Sequence, residues 1–226
     1  LQVHPPPAVA AQLRGEPKTE MWYIADASPG AELYLGLKRD VTRETFEAKL
    51  KDGTVADCFH RQPVQADDAV FLPSGRVHAI GAGNVIFEIQ QNSDTTYRVF
   101  DWNRVGLDGQ PRALHVEPAL ASIDFHDFEP PLLRTRFSRN PTIRTRYLVS
   151  DPLFTVDAYQ VRRGERFYVR CAAPLILGIL RGRLAVRHGE TEVVLGPGQF
   201  CLLPANLERV VLQAETRVTY LQAQPG

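Results

Sequence analysis

"DDAVFLPSGRVHAI", Asp67 to Ile80, is the stretch from which the fold is read. An acidic turn leads into Ala69–Leu72, whose apolar, partly branched side chains favour a strand. Pro73 and Gly75 then mark a tight reversal, since proline fixes φ and glycine accepts the left-handed backbone that such turns demand. A second strand carries His78. Residues 196–211, "GPGQFCLLPANLERVV", repeat the order of turn, apolar strand and closing proline. Setting Pro204 over Pro73 brings Arg209 to the place of His78. Two related β units are implied, with a histidine-bearing site in the first alone.

Outward from this stretch the strand signals continue. "TEMWYIA" (19–25) and "AELYLGL" (31–37) are rich in aromatic and branched residues and flank the turn "DASPG", while "NVIFEIQQ" (84–91) and "TTYRVFDW" (95–102) follow downstream. Helical spacing appears in "VTRETFEAKLKD" (41–52), which stops at Gly53. "TVADCFHRQ" (54–62) reads as a second short helix, with Thr54 and Asp57 spaced as a capping box. Prolines 5, 6 and 7 end the opening strand, because proline offers no N–H to a ladder. A second all-β run begins near "FTVDAYQV" (154–161), and "FEPPLLRTR" (128–136) is the clearest connector. The expected division is a first unit over 1–115, a linker over 116–130 and a second unit over 131–226.

The chain has 226 residues, enough for a sizeable core. Lysine plus arginine and aspartate plus glutamate both number 26, so no overall field draws the chain to nucleic acid or an anionic membrane, and neither is expected as a partner. Cys58, Cys171 and Cys201 are odd in number and sit in apolar contexts, which points to thiols in a reducing, cytoplasmic setting. No apolar run reaches the ~18 residues of a membrane span. A start on "LQVHP", inside an apparent strand and without methionine, is expected of a fragment whose upstream part is missing.

Side chains two apart on a strand share a face, so Gln2 and His4 can reach one point. Glu20 opens another strand, and a carboxylate with two imidazoles is a common set of ligands for a divalent ion. The polar run Gln90–Thr96 is longer than a hairpin needs, and Asp94 and Arg98 lie four apart across it.

"LQVHP", "KTEMWY", "LPSGRVHAIGAG" and "QQNSDTTYRVFDW", in that order, resemble the type I mannose-6-phosphate isomerases, zinc-dependent enzymes of the cupin superfamily, in their short bacterial form. Pro73, Gly75 and His78 match the second cupin signature, Pro-x-Gly-x-x-His. The likeness is strong to about residue 104 and general beyond it. Pro6 and Pro7 depart from it, standing where family members often have acidic residues.

The resemblance implies a mainly β protein of two cupin-like jelly-roll barrels, with a short helical insertion in the first and no metal ligands in the second. It implies one Zn2+ held by Gln2, His4, Glu20 and His78. Arg98 is implied as the leading catalytic cation, with Lys18 and Asp94 lining the same pocket and Arg104 a further contact for the phosphate. It implies a small sugar phosphate as partner and a reaction that interconverts mannose 6-phosphate and fructose 6-phosphate by proton transfer between C2 and C1 through a cis-enediol. Two other readings of the same residues stand beside it. Two histidines and a carboxylate also suit a non-haem iron cupin oxygenase, and a cupin that binds sugar phosphate without turnover would need the same pocket. His60, His115, His126 and His188 match no motif and are read as structural or exposed.

Overall fold

A computed structural model describes residues 1–102, 104–106 and 109–226. It divides into two units, Leu1–Leu133 and Arg134–Gly226. The first contains β1 (Gln2–Val3), α1 (Pro7–Ala10), β2 (Glu20–Ala27), β3 (Glu32–Leu37), α2 (Arg43–Asp52), β4 (Phe59–Pro63), β5 (Ala69–Leu72), β6 (His78–Ile80), β7 (Asn84–Gln90), β8 (Tyr97–Arg98) and α3 (Val116–Ser122). The second contains β9 (Ile143–Ser150), β10 (Phe154–Val161), β11 (Arg166–Val169), β12 (Leu175–Arg181), β13 (Leu184–His188), β14 (Thr191–Leu195), β15 (Phe200–Leu203), β16 (Val210–Ala214) and β17 (Val218–Pro225).

Each unit is built from two antiparallel sheets. In the first, the orders are β4-β3-β6-β1-β8 and β5-β2-β7; in the second, β15-β12-β17-β10-β9 and β11-β16-β13-β14. Alternation along the strands supplies the cores. Trp22, Ile24, Leu33, Leu35, Val70 and Leu72 form one cluster of the first unit, while Val161, Leu177, Ile179, Leu212 and Tyr220 belong to that of the second. The architecture is the mainly β, cupin-like one, with α2 as the short helical insertion. Thr42 caps α2 by accepting from Thr45 N at 3.2 Å, and Gly53 ends it in the left-handed region.

The turn after β5 positions the site. Arg76 N donates to Pro73 O at 3.1 Å around Gly75 at φ +95°, the geometry of a type II turn. Gly75 N donates to His4 O at 2.8 Å, which stitches this turn to the segment leaving β1. The Arg76 guanidinium grips Asp127 through two hydrogen bonds of 2.7 and 2.8 Å and donates a third to Phe71 O.

Two local expectations are corrected and one is extended. Residues 54–62 are not one helix: a single 3-10 turn, Val55–Cys58, gives way to β4, because Phe59 is wholly buried and pairs with Leu37. The Thr54 hydroxyl bonds Asp52 instead of capping a helix. The prolines after β1 start a helix as well as ending a strand, with Pro7 in the first turn of α1, where a missing N–H costs nothing. Residues 116–130 form no free linker. Ala119, Leu120 and Ile123 of this stretch enter the first core, and Leu37 and Asp127 exchange backbone hydrogen bonds with their surroundings, Leu37 N to Asp127 O at 2.9 Å. The division falls after Leu133, later than expected. Among the described residues, no helix is long and apolar enough to cross a membrane.

In the second unit the turn after β15 repeats the motif of the first, and the guanidinium of Arg209 lies 4.2 Å over the Tyr168 ring. The position that bears His78 in the first copy is thus committed to a cation–π contact.

Candidate metal centre

His4, Glu20 and His78 converge: one donor atom from each lies within 4.8 Å of the others, and all three residues are buried. They arrive from two sheets. Gln2 and His78 face each other across β1 and β6, whereas Glu20 opens β2 in the other sheet. His4 Nε2 is 3.0 Å from Glu20 Oε1 and His78 Nε2 is 3.7 Å from Glu20 Oε2. The Gln2 amide stands 3.2 Å from His78 Nε2. Half a turn of that amide exchanges its oxygen for its nitrogen, so the same position offers an oxygen donor.

The outer ring nitrogens are tied down by backbone. His4 Nδ1 lies 2.7 Å from Thr95 O and His78 Nδ1 2.9 Å from Arg76 O. A carbonyl can only accept, so each Nδ1 carries a proton and each Nε2 is turned toward the centre. Burial above all holds the His78 ring down at about 4, which keeps it neutral. At Glu20 burial favours the uncharged acid, but the contacts with His4 and Lys18 outweigh it and hold the carboxyl well below the usual carboxylate range.

The donors also pass a test of fit for a metal. His4 Nε2 and Glu20 Oε2 are buried without a hydrogen bond, while Glu20 Oε1 faces His4 Nε2 at 3.0 Å and the Lys18 ammonium at 2.7 Å. Burying such atoms unsatisfied costs about 1–3 kcal/mol each, more when charged. A cation at their centre removes that cost, and two neutral imidazoles with a carboxylate are a set that binds divalent ions.

Lys18 belongs to this group. Its Nζ lies 2.7 Å from Glu20 Oε1 and 3.7 Å from Glu88 Oε1, with only a tenth of the side chain exposed. Arg98 pairs with Gln2 in register, which sets its side chain on the same face, but one guanidinium nitrogen donates to Ala113 O at 3.0 Å. Asp94 is exposed, next to the Thr95 that holds His4. Arg104 is not brought to the cluster as a free cation. It donates to the buried Asp101 at 2.7 Å and lies over Trp102, and Arg112 shares the same carboxylate.

Two carboxylates with charged partners escaped the sequence reading, one of them beside the cluster. Glu88 pairs with Trp22 in register beside Glu20, and burial together with the Glu20 charge pushes its carboxyl up to about 7 against the pull of Lys18. The signal existed only as a charge inside "NVIFEIQQ", which alternation by itself assigns to solvent. Asp101, joined by Arg104 and Arg112, was passed over because its burial depends on residues eleven positions away.

Comparison with known proteins completes the picture. No family model matches the chain. A mannose-6-phosphate isomerase of Streptococcus mutans is 35% identical over 210 residues, which are 92% of this chain and 65% of that protein. The mannose-6-phosphate isomerase ManA of Bacillus subtilis is 31% identical over 225 residues, 98% of this chain and 70% of that one. The chain thus spans about two thirds of the length of these curated relatives. A crystal structure of the mannose 6-phosphate isomerase from Bacillus subtilis matches with a TM-score of 0.87 over 99% of this chain and 70% of its own, at 24% identity, a likeness of fold. Shared sequence over nearly the whole of this chain, with the fold to match, makes it a member of the mannose-6-phosphate isomerase family.

Proposed function

We infer that this chain carries the catalytic centre of a zinc-dependent aldose–ketose isomerase interconverting mannose 6-phosphate and fructose 6-phosphate. One observation carries the reading: the donors of His4, Glu20 and His78 converge in one buried cluster, while the outer histidine nitrogens are fixed by Thr95 O and Arg76 O. With the Gln2 amide as fourth donor, the set leaves a divalent ion with one net positive charge. Zinc suits it, having no redox chemistry, and when bound supplies a Lewis acid to the sugar oxygens.

The chain's own side chains do the rest. Moving a proton between C2 and C1 through a cis-enediol builds negative charge on the neighbouring oxygens, which calls for fixed positive charge. Lys18 is held between Glu20 and Glu88, so its ammonium is oriented before substrate arrives. It is favoured over the exposed Asp94 as proton carrier because it is buried beside the donors. Arg98, on the face of Gln2, is assigned to the charge of the substrate, since Arg104 is already engaged by Asp101. Lys18 also argues against an oxygenase, for which a fixed ammonium beside the ion has no evident use. Three unpaired cysteines support a cytoplasmic setting.

The test is a coupled assay of fructose 6-phosphate formed from mannose 6-phosphate, before and after chelation. Turnover that chelation abolishes and zinc restores is expected. Zinc bound in equal molar amount without turnover would reject the isomerase reading while leaving the metal site standing.

A further inference from the structure

The overall charge balance conceals a division. Residues 134–226 carry 14 arginines and no lysine against seven carboxylates, a net charge of +7, so residues 1–133 with 12 basic and 19 acidic side chains carry −7. Lysine and arginine differ little in charge at neutral pH but much in geometry: the guanidinium is a planar fork that meets phosphate or carboxylate with paired hydrogen bonds.

Three of these arginines line one cavity of about 380 Å3, together with Asn140, Thr142 and Gln160. It lies within the second unit, where the start of β9, the end of β10 and the start of β17 come together; Val161 pairs with both Ile143 and Val218. The wall is well ordered by hydrogen bonds. Asn140 Oδ1 accepts from Thr142 N and Ile143 N at 2.9 and 3.0 Å, and Arg162 N donates to Thr142 O at 2.9 Å. Arg144 is braced by Ser138 O and Gln160 Oε1. No carboxylate lines the cavity. Among the described residues, the guanidinium groups of Arg162 and Arg217 form no ion pair, and Glu215, two positions from Arg217, is taken up by Arg183 at 3.1 Å.

We propose that this cavity is a binding site for a small phosphate-bearing molecule, its phosphate dianion held between Arg162 and Arg217 with Arg144 behind. Arg162 and Arg217 are exposed and, among the described residues, have no carboxylate partner, so both are free to turn to an anion seated between them. The volume falls in the range of small-molecule pockets. Thr142, Asn140 and Gln160 supply neutral hydrogen-bonding groups for hydroxyls attached to the phosphate. The site is separate from the metal centre, all of whose donors belong to the first unit.

The experiment is calorimetric titration of the whole metal-loaded chain with inorganic phosphate and with glycerol 3-phosphate at low salt. Wild-type protein, R162Q/R217Q and R166Q/R170Q are compared; the last pair removes the same charge from exposed arginines outside the cavity. Affinity is expected to fall about tenfold for each cavity arginine lost, the loss of one charge-assisted hydrogen bond, and to change little in the control pair. Tighter binding of glycerol 3-phosphate than of inorganic phosphate identifies an ester as the ligand; equal binding identifies the free anion. Equal affinity in R162Q/R217Q and wild type, an equal loss in R166Q/R170Q, or no binding of either probe overturns the proposal. Isomerase activity is expected to be the same in all three proteins, so a loss of probe affinity confined to R162Q/R217Q is told apart from binding at the sugar-phosphate site inferred for the first unit.

Discussion

His4 and His78 aim the same ring nitrogen, Nε2, at one carboxylate, 3.0 Å from one oxygen of Glu20 and 3.7 Å from the other. Because each ring's Nδ1 proton is committed to a backbone carbonyl, neither can turn to offer its other face without leaving that carbonyl unpaired. The His78→Ala variant is expected to bind zinc more than about 100-fold more weakly, given that even outer-shell partners are worth 10–100-fold. Metal content after dialysis against a competing chelator measures it. Zinc retained at the wild-type level would remove His78 from the ligand set.

Replacing Lys18 by Met separates metal binding from chemistry. The thioether keeps the length of the side chain but deletes the charge that lies 2.7 Å from Glu20. Zinc content is expected to persist, kcat to fall by about 100-fold or more, and KM to move less. Unchanged kcat would transfer the proton to another group.

Arg76 links the turn that carries His78 to Asp127 through two hydrogen bonds, and both side chains are largely buried. Removing one partner of such a pair leaves the other charge unpaired, at a cost of about 3 kcal/mol. The Arg76→Met variant is expected to lose that much in urea unfolding and to hold zinc more weakly as the Arg76 carbonyl loosens. Full zinc affinity with reduced stability would restrict the clamp to a structural part.

Gly36 sits at φ +60°, and a Cβ there would meet Asp127 O at 2.6 Å and Pro130 Cδ at 2.7 Å. Neither can move freely, because Asp127 O accepts from Leu37 N in the same contact. The Gly36→Ala variant is expected to lose about 2–3 kcal/mol, read as a lowered melting temperature.

Asp101 gives the fold a pH dependence. The hydrogen bond from Arg112 leads in holding its carboxyl well below the usual range, with burial opposing and Arg104 assisting. A depressed folded pKa gives stability that is present above the unfolded carboxylate value, ~3.9, and is lost as pH falls below it toward the folded value. Wild-type protein is therefore expected to lose more stability between about pH 5 and pH 2 than Asp101→Asn, which should already be weaker at pH 7 by about 2 kcal/mol. Parallel stability curves for the two proteins would contradict this account.

The fold was legible where local chemistry and tertiary packing agree. The turn at Pro73 and Gly75, the alternation of β10 and the caps of α2 each follow from a few neighbouring residues. Gln2, His4, Glu20 and His78 were singled out through motifs, and the structure brings their side chains close together from two sheets. Reading failed where distant residues decide. Phe59 became strand because Leu37 pairs with it, Glu88 reached the centre through a register with Trp22, and Arg104 was claimed by Asp101. The charge count failed for a similar reason, since 26 against 26 cancels over two units whose boundary lies at residue 133.

The origin of the donors in different sheets has a thermodynamic consequence. An ion bound by Glu20 from β2 and by His78 from β6 acts as a rivet between layers that otherwise adhere through apolar contact. Its binding free energy is then available to the folded first unit and absent from the unfolded chain, about 4 kcal/mol when free ion exceeds Kd a thousandfold. The second unit has its own core and no share in the rivet. Heat resistance of the first unit would then follow the metal supply around it, and that of the second would not.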